Sequence, residues 1–139
     1  MHRHNFTVTK TELNAEYGHV HHAHILLFME QARLSFLREI GFSAEKLMLS
    51  GIYPVIAAIN IEYLREIVLG DYVVTCEDCK IEGRSIFIQQ RIINEKGRIA
   101  VDSKVESMLF DKNVGRAVRP SPEFAKALLA SNGPAGGVV

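Results

Sequence analysis

The 139-residue sequence is poor in the features that mark several classes of protein. It has no tryptophan and only two cysteines, and its sixteen basic residues are balanced by sixteen acidic ones. Such a balance gives no reason to expect nucleic acid or an anionic membrane as a partner. The apolar stretch at 25–29 is far shorter than the roughly 20 residues that span a bilayer, and residues 1–5 lack the apolar core of a secretory signal. We therefore expect a cytoplasmic protein that binds neither nucleic acid nor membrane.

The two cysteines, Cys76 and Cys79, have the C-x-x-C spacing of redox pairs and of half a zinc site. The residues around them alternate as in a β-strand, where side chains three positions apart point to opposite faces. The sequence has no second cysteine pair that would complete a zinc site. We interpret both residues as unpaired structural thiols, in keeping with a reducing compartment.

The hydrophobic patterns predict a single α+β domain over 1–139. A first strand at 6–9 precedes a long helix whose apolar stripe runs from Ile25 to Ile40 and which ends at Gly41. Ser43 is placed to cap a short second helix. Strands of period two follow within 55–64, 72–81, 85–93 and 98–109, then a helix at 122–129 and a frayed tail at 131–139. Because helices and strands are segregated, we predict an antiparallel sheet.

The long helix is apolar beyond its main stripe. Leu26, Leu27 and Leu34 widen the apolar side, and a helix of this kind is expected to be surrounded by other elements. A sheet with room for one enclosed helix leaves an edge strand, and such edges are usually covered by a partner. We therefore expect a homodimer, which can pair further into a tetramer.

Residues 12–23, Glu-Leu-Asn-Ala-Glu-Tyr-Gly-His-Val-His-His-Ala, together with Glu-Gln-Ala-Arg at 30–33, resemble a known motif. It is the first motif of the 4-hydroxybenzoyl-CoA thioesterase-like branch of the hotdog superfamily. Segments 59–64, 70–71, 83–85 and 115–120 resemble the same family, so the likeness spans 6–120. It implies the hotdog fold, an antiparallel sheet wrapped around one long central helix. It also implies hydrolysis of an acyl thioester of coenzyme A or acyl carrier protein without a cofactor, the CoA moiety being part of the substrate.

The resemblance also implies catalytic roles. In this family a carboxylate serves as general base or nucleophile, and a backbone N–H at the start of the long helix polarises the thioester carbonyl. A helix that begins near His22 would supply such donors. The usual position of the acid, three residues before Gly18, is Ala15 here. We interpret Glu16 as the catalytic carboxylate, with Asn14 and His22 as groups that position water.

Five further residues are expected to bind substrate: Gly18, His19, Val20, Ala23 and Glu30. Two interpretations of Glu30 stay open. It either lies at the mouth of the active site across the dimer or forms a solvated pair with Arg33. The apolar residues expected at an acyl pocket are Leu26, Phe28, Met29, Ile56 and Ala58.

All six histidines lie within the first 24 residues, and four of them, at 19, 21, 22 and 24, invite a metal-site hypothesis. They cross a junction from loop to helix, and no carboxylate or thiolate accompanies them at a familiar spacing. We predict that no metal is required. Because Ala15 replaces the usual acid, a non-catalytic acyl-thioester-binding protein is the main alternative. A hotdog hydratase or dehydratase is less favoured, since the sequence shows no signature of its acid–base pair.

Overall fold

The computed structural model describes residues 1–133. Its elements, in chain order, are β1 (His2–Val8), a 3-10 turn (Lys10–Glu12), α1 (His22–Glu39), α2 (Ala44–Ser50), β2 (Ile52–Tyr63), β3 (Gly70–Glu82), β4 (Ser85–Ile93), β5 (Ile99–Asp111), β6 (Arg116–Val118) and α3 (Pro122–Ala130). The three predicted helices and five predicted strands are all present, and β6 is an additional short strand. Among residues 1–133 no helix is long and apolar enough to cross a membrane.

The strands form one antiparallel sheet in the order β1-β3-β4-β5-β2, and β6 pairs with the end of β5. The predicted stripe of α1 packs against this sheet, with Met29, Ala32 and Phe36 almost completely buried. Side chains from β4 and β5 alternate as a pleated strand requires. The inward positions include Ile88, Ile92 and others that complete a continuous apolar core with the helix.

Burial is confined to the sheet side of α1. Leu26, Leu27 and Leu34 are 37, 50 and 38% exposed. The expectation that other elements surround the helix is therefore wrong for a single chain, because the sheet contacts only one side of a cylinder. The opposite side presents apolar surface to solvent.

Strand β2 forms an edge of the sheet, because within residues 1–133 it pairs only with β5. This confirms the predicted edge strand. A register shift between Ile56 and Ala58 interrupts the simple alternation read from the sequence. Val55 and Ile56 are 39 and 47% exposed, so the edge carries apolar side chains as well as unpaired backbone groups.

The cysteines are free thiols, as predicted, but both are buried rather than on opposite faces. A β-bulge lies between Glu77 and Lys80, and Asp78 has a left-handed backbone with φ 49°. The extra residue changes the side-chain direction, so Cys76 and Cys79 both point into the protein. Burial raises the pKa of Cys76 to about 12 and also raises the pKa of Cys79, which keeps both thiols protonated.

The predicted tail at 131–139 begins with ordered residues. The side chain of Asn132 accepts a hydrogen bond of 2.8 Å from the backbone N–H of Cys79 and donates one of 2.9 Å to its carbonyl. The side-chain amide of Asn132 thus pairs with the backbone of Cys79 as a neighbouring strand would, at the bulge of β3. The remainder of the predicted tail, 134–139, lies outside the described residues.

Candidate active site

The loop between β1 and α1 begins with a capping box. The backbone N–H of Thr9 donates a 2.8 Å hydrogen bond to the Glu12 carboxylate, and the Thr9 hydroxyl also contacts both carboxylate oxygens. These bonds, first of all the one from the backbone of Thr9, lower the pKa of Glu12. The Glu12 carboxylate is therefore engaged in holding the loop.

Asn14 organises the next turn of the loop. Its Oδ1 atom accepts hydrogen bonds from the backbone N–H groups of Glu16 at 2.8 Å and Tyr17 at 3.3 Å. Its own backbone pairs with His19 and Gly18, and Gly18 has the positive φ of 71° that closes the turn. Because Oδ1 is used in this way, the amide nitrogen of Asn14 is the part of its side chain that is available to a ligand.

Helix α1 begins at His22, as predicted, and His21 is its N-cap. The imidazole Nδ1 of His21 accepts a 3.1 Å hydrogen bond from the backbone N–H of Ala23, and the His21 carbonyl accepts one from His24. The backbone N–H of His22 has no hydrogen-bond partner within residues 1–133. Because the helix dipole places partial positive charge at this end, the His22 N–H is the first-turn donor best placed to stabilise an oxyanion.

An open cleft of about 780 Å³ lies beside this first turn. Three chain segments form its walls: the turn of the loop, the start of α1 and the connection that follows β2. The lining residues are Asn14, Tyr17, His19, Val20, His21, His22, Ile25, Tyr63, Leu64, Arg65, Glu66 and Ile67. A 2.7 Å hydrogen bond from the Val20 N–H to the Ile67 carbonyl fastens the loop to the β2–β3 connection.

The structure brings most of the predicted site together. Asn14, His19, Val20 and His22 line the cleft, and Gly18 and Ala23 adjoin them in the chain. The side chain of Glu16 is exposed and does not line the cleft in this conformation, although its backbone lies in the same turn.

Glu66 lines the cleft and was missed by the sequence reasoning. It belongs to the β2–β3 connection, fifty residues after Glu16 in the chain. No motif marks it, because only the packing of the loop against this connection brings it to the helix start. An acidic residue just after an alternating strand is too common a pattern to single out.

His19 lines the cleft and has a buried ring nitrogen without a partner in the described residues. Its ring stacks on Tyr17 with centroids 5.7 Å apart, and its Nδ1 atom is buried without a hydrogen-bond partner in the described part of the chain. Buried polar atoms are rarely left without a partner. Because Nδ1 is closed to solvent, the His19 ring would have to turn before this atom could contact a bound substrate.

The neighbouring histidines make other contacts. The rings of His21 and His22 stack with centroids 4.2 Å apart. Across residues 1–133 no three His, Cys, Asp or Glu side chains are grouped so that they could hold a metal ion. The imidazole of His21 is the N-cap of α1.

Glu30 and Arg33 do not form the solvated pair that the spacing allowed. Arg33 Nη1 donates a 2.9 Å hydrogen bond to Gln90 Oε1, and within residues 1–133 no carboxylate lies within 4.0 Å of the guanidinium. That interpretation is wrong because the sheet offers a buried acceptor on the inner side of the helix. Glu30 does not line the cleft of its own chain and instead lines a second cavity, together with Arg33.

Comparison with known proteins identifies the family to which this architecture belongs. The sequence profile of the Thioesterase superfamily matches residues 17–101, from the loop at the helix start to β5. The chain belongs to the Thioesterase superfamily. The family suggested by the motif at 12–33 is thereby confirmed.

A curated relative gives the same result at the level of sequence. The acyl-CoA thioester hydrolase YbgC of Escherichia coli O157:H7 is 30% identical over 95 residues, which cover 68% of this chain and 71% of YbgC. Among solved structures, the probable thioesterase YbaW of Escherichia coli is similar with a TM-score of 0.77 and 25% identity, covering 92% of this chain and 96% of YbaW.

A further structural relative is SAV2348 of Staphylococcus aureus, solved in complex with CoA. It has a TM-score of 0.85 at 18% identity, with 94% of this chain and 82% of SAV2348 covered. At that identity the likeness shows the fold alone. The hotdog fold of the superfamily is confirmed, with the sheet packed around one side of α1.

Proposed function

We propose that the protein is an acyl-CoA thioesterase whose reaction takes place in the cleft at the start of α1. The observation that carries this is the unpaired His22 N–H at the positive end of an 18-residue helix, beside an open cleft. Such a donor stabilises the negative charge that develops on a thioester carbonyl oxygen. The activity of YbgC and the CoA bound to SAV2348 support CoA as the thiol part of the substrate.

In this mechanism the carbonyl oxygen accepts a hydrogen bond from the His22 N–H. A carboxylate takes a proton from water, the water oxygen attacks the carbonyl carbon, and the tetrahedral intermediate expels the thiolate as the C–S bond breaks. The protonated carboxyl group then gives this proton to the thiolate, which leaves as the thiol. The alternative is direct attack by the carboxylate on the carbonyl carbon, which breaks the C–S bond, expels the thiolate and gives an anhydride. Water then hydrolyses the anhydride, which releases the acid and regenerates the carboxylate.

Glu16 is the carboxylate that we propose, with the amide of Asn14 and the ring of His22 positioning water. Glu16 is exposed, so its side chain is free to turn toward the cleft from the adjacent turn. Substrate contacts are expected from Gly18, His19, Val20 and Ala23. Glu30, which lies outside the cleft of its own chain, is expected to reach substrate only from the partner subunit.

Glu66 is a second candidate for the carboxylate, because it already lines the cleft. Steady-state hydrolysis of acyl-CoA thioesters of different chain lengths, with Glu16→Gln, Glu66→Gln and Glu12→Gln, separates these roles. Loss of a general base is expected to lower kcat by roughly 10²–10⁴-fold. We expect this for Glu16→Gln and only small effects in the others. A large loss in Glu66→Gln alone would move the base to Glu66.

The same assay tests the alternative functions. A protein that binds acyl-CoA but hydrolyses no member of the series, or of a parallel series on acyl carrier protein, is a non-catalytic thioester-binding protein. A hydratase is identified by water addition to an enoyl-CoA. We propose that hydrolysis requires neither cofactor nor metal. Activity that disappears after chelation and returns with zinc would contradict this.

We further propose a homodimer joined through the β2 edges, and an active site completed by the partner. The exposed apolar edge of β2 and the exposed leucines of α1 support it. Ala57→Lys, on this edge, is expected to shift the mass measured by light scattering toward the monomer. Asn5→Lys, on the opposite edge strand, is the matched control. A wild-type monomer at micromolar concentration would refute the proposal, and a tetramer would extend it.

The buried free thiols are compatible with a reducing compartment, and we propose that the protein acts in the cytoplasm. Cell fractionation with a tagged full-length chain tests this location. Recovery outside the cytoplasmic fraction would contradict it.

A further inference from the structure

The connection between β2 and β3, residues 64–69, forms one wall of the cleft and lies outside the helices and strands. Its first end is fixed to β5. Leu64 and Arg65 each donate a backbone N–H to the Ala100 carbonyl, at 2.8 and 3.1 Å. The Nη1 atom of Arg65 also donates a 2.6 Å hydrogen bond to the Ile99 carbonyl. The start of the connection is therefore tied to the sheet by three hydrogen bonds.

The other end of the connection is held by the side chain of Tyr72, near the start of β3. Its hydroxyl donates a 3.0 Å hydrogen bond to the Val68 carbonyl and accepts a 3.0 Å hydrogen bond from the Val68 N–H. Within residues 1–133 neither of these groups of Val68 has a backbone partner. The phenol thus supplies the pairing that a neighbouring strand would give, and it does so from a side chain in a residue that is only 6% exposed.

The ring of Tyr72 belongs to a stack of three aromatic side chains. Phe6 of β1 lies between the other two rings, with its centroid 5.4 Å from that of Tyr72 and 4.1 Å from that of Phe28. The rings are nearly parallel, at interplanar angles of 16° and 19°. Phe28 lies in the first half of α1, the helix that begins beside the cleft. Packing against β1 and α1 therefore determines where the Tyr72 hydroxyl lies.

Glu66 and Ile67 lie between the two fixed ends of the connection and reach the site. Glu66 lines the cleft, and the buried Ile67 accepts the 2.7 Å hydrogen bond from the Val20 N–H at its carbonyl. Val20 precedes His22, the proposed oxyanion donor, by two residues. A shift of the connection would therefore move a wall of the cleft and the loop before α1. Reactions that depend on orientation are sensitive to displacements of about 1 Å.

We propose that Tyr72 is a positioning residue of the thioesterase. Its hydroxyl, bonded to Val68, holds the β2–β3 connection against the loop before α1 and so fixes the cleft wall relative to the His22 N–H. Tyr72 does not line the cleft and acts through these other residues. The inference rests on the proposed function and deepens it, because it adds a determinant of the cleft's shape that lies outside the cleft.

Tyr72→Phe removes the hydroxyl and keeps the aromatic stack. We expect kcat for acyl-CoA hydrolysis to fall by about 10-fold, within the ~10²-fold that a displacement of about 1 Å can cost. KM should change little, because Tyr72 does not line the cleft. Tyr53→Phe is the matched control, since Tyr53 is half-buried outside the cleft and its hydroxyl makes no hydrogen bond in the described residues. Each variant is assayed well below its unfolding transition.

Amide hydrogen exchange measured by NMR tests the hold itself and needs no substrate. In the wild type the Val68 amide should be protected, because the Tyr72 hydroxyl accepts its hydrogen bond. In Tyr72→Phe the amides of Val20 and Val68 should exchange about 5-fold faster or more, the factor that one net hydrogen bond contributes. The amides of Ile88 and Val105, in β4 and β5, should accelerate less, whereas a loss of overall stability would accelerate all four alike.

The two measurements together decide the proposal. Slower turnover with faster exchange at Val20 in Tyr72→Phe supports it. Either change without the other would overturn it, as would an unprotected Val68 amide in the wild type or an equal loss of turnover in Tyr53→Phe. Normal turnover in Tyr72→Phe beside an active wild type refutes only the positioning role. A wild type that hydrolyses no acyl-CoA refutes the proposed function, and the positioning role with it.

Discussion

The imidazole Nδ1 of His21 accepts a 3.1 Å hydrogen bond from the backbone N–H of Ala23. A side chain of the histidine cluster thus satisfies one of the orphan donors of α1, and the neighbouring N–H of His22 stays available to substrate. In the first turn, the Ala23 N–H therefore has a structural partner, whereas the His22 N–H is left for the proposed chemistry. The relationship also assigns to the helix cap a histidine that the sequence could equally have placed in a metal site.

Replacement of this cap is expected to destabilise the protein. His21→Ala should lower the free energy of unfolding by about 1 kcal/mol, the usual cost of losing an N-cap acceptor. Urea denaturation measures the change. His24→Ala is the control, because in the described residues its ring neither makes a hydrogen bond nor stacks on His21, and His21→Asp should restore stability. Equal stability of His21→Ala and the wild type would contradict the cap.

Gln90 is expected to be essential to the packing of α1 on the sheet. Its side chain is fully buried, accepts from Arg33 and donates a 3.0 Å hydrogen bond to the Met29 carbonyl. Gln90→Leu should lower the free energy of unfolding by roughly 1–3 kcal/mol, since it leaves the Arg33 guanidinium and the Met29 carbonyl without this partner. Gln89→Leu, on the outer face of the same strand, is the control and should cost less in thermal or urea unfolding.

The buried thiol of Cys76 predicts a dependence of stability on alkaline pH. Its pKa is raised from 9.0 to about 12, so above pH 9 the unfolded chain loses this proton while the native state keeps it. The contribution of the Cys76 thiol to the free energy of unfolding is therefore fully present below pH 9 and is lost as the pH rises toward 12. Urea midpoints at pH 8, 9 and 10 should decline less steeply in Cys76→Ala than in the wild type. Parallel slopes would contradict the shift.

The C-terminal segment is expected to be held by Asn132. Asn132→Ala removes both side-chain hydrogen bonds to the backbone of Cys79. We expect a loss of about 1–2 kcal/mol, at roughly 1 kcal/mol for each bond, measured by chemical denaturation. Asn113→Ala, at an exposed position, should change stability by less than about 0.5 kcal/mol. A loss no larger than this control would show that the two bonds contribute nothing.

Much of the fold could be predicted from local patterns. The stripe from Ile25 to Ile40, the capping serines at 43 and 121, and the change to period two after Pro54 each act within a few residues. Their outcomes, α1, α2, α3 and the long strands, agree with the structure. The bulge at Asp78 was not predictable in this way. It brings the side chains of Cys76 and Cys79 to the same face of the sheet, and the hydrophobic periodicity of the sequence does not indicate it.

The site was predictable in part for the same reason. The motif at 12–23 places the loop, Asn14 and the start of the helix next to one another along the chain, so the sequence could indicate them. Glu66 reaches the same cleft only because the Val20 N–H bonds the Ile67 carbonyl, 47 residues further on. Arg33 turns inward toward Gln90 because β4 lies beneath the helix.

The sequence by itself determined the elements, their order and the family of this protein. Hydrophobic period, caps and turn residues depend on interactions between near neighbours, which the sequence displays directly. The tertiary structure decided which carboxylate lines the cleft, which N–H stays unpaired and which cation lies in a cavity. These depend on the packing of segments distant in the chain, where burial and competing hydrogen bonds choose among residues that look equivalent in the sequence.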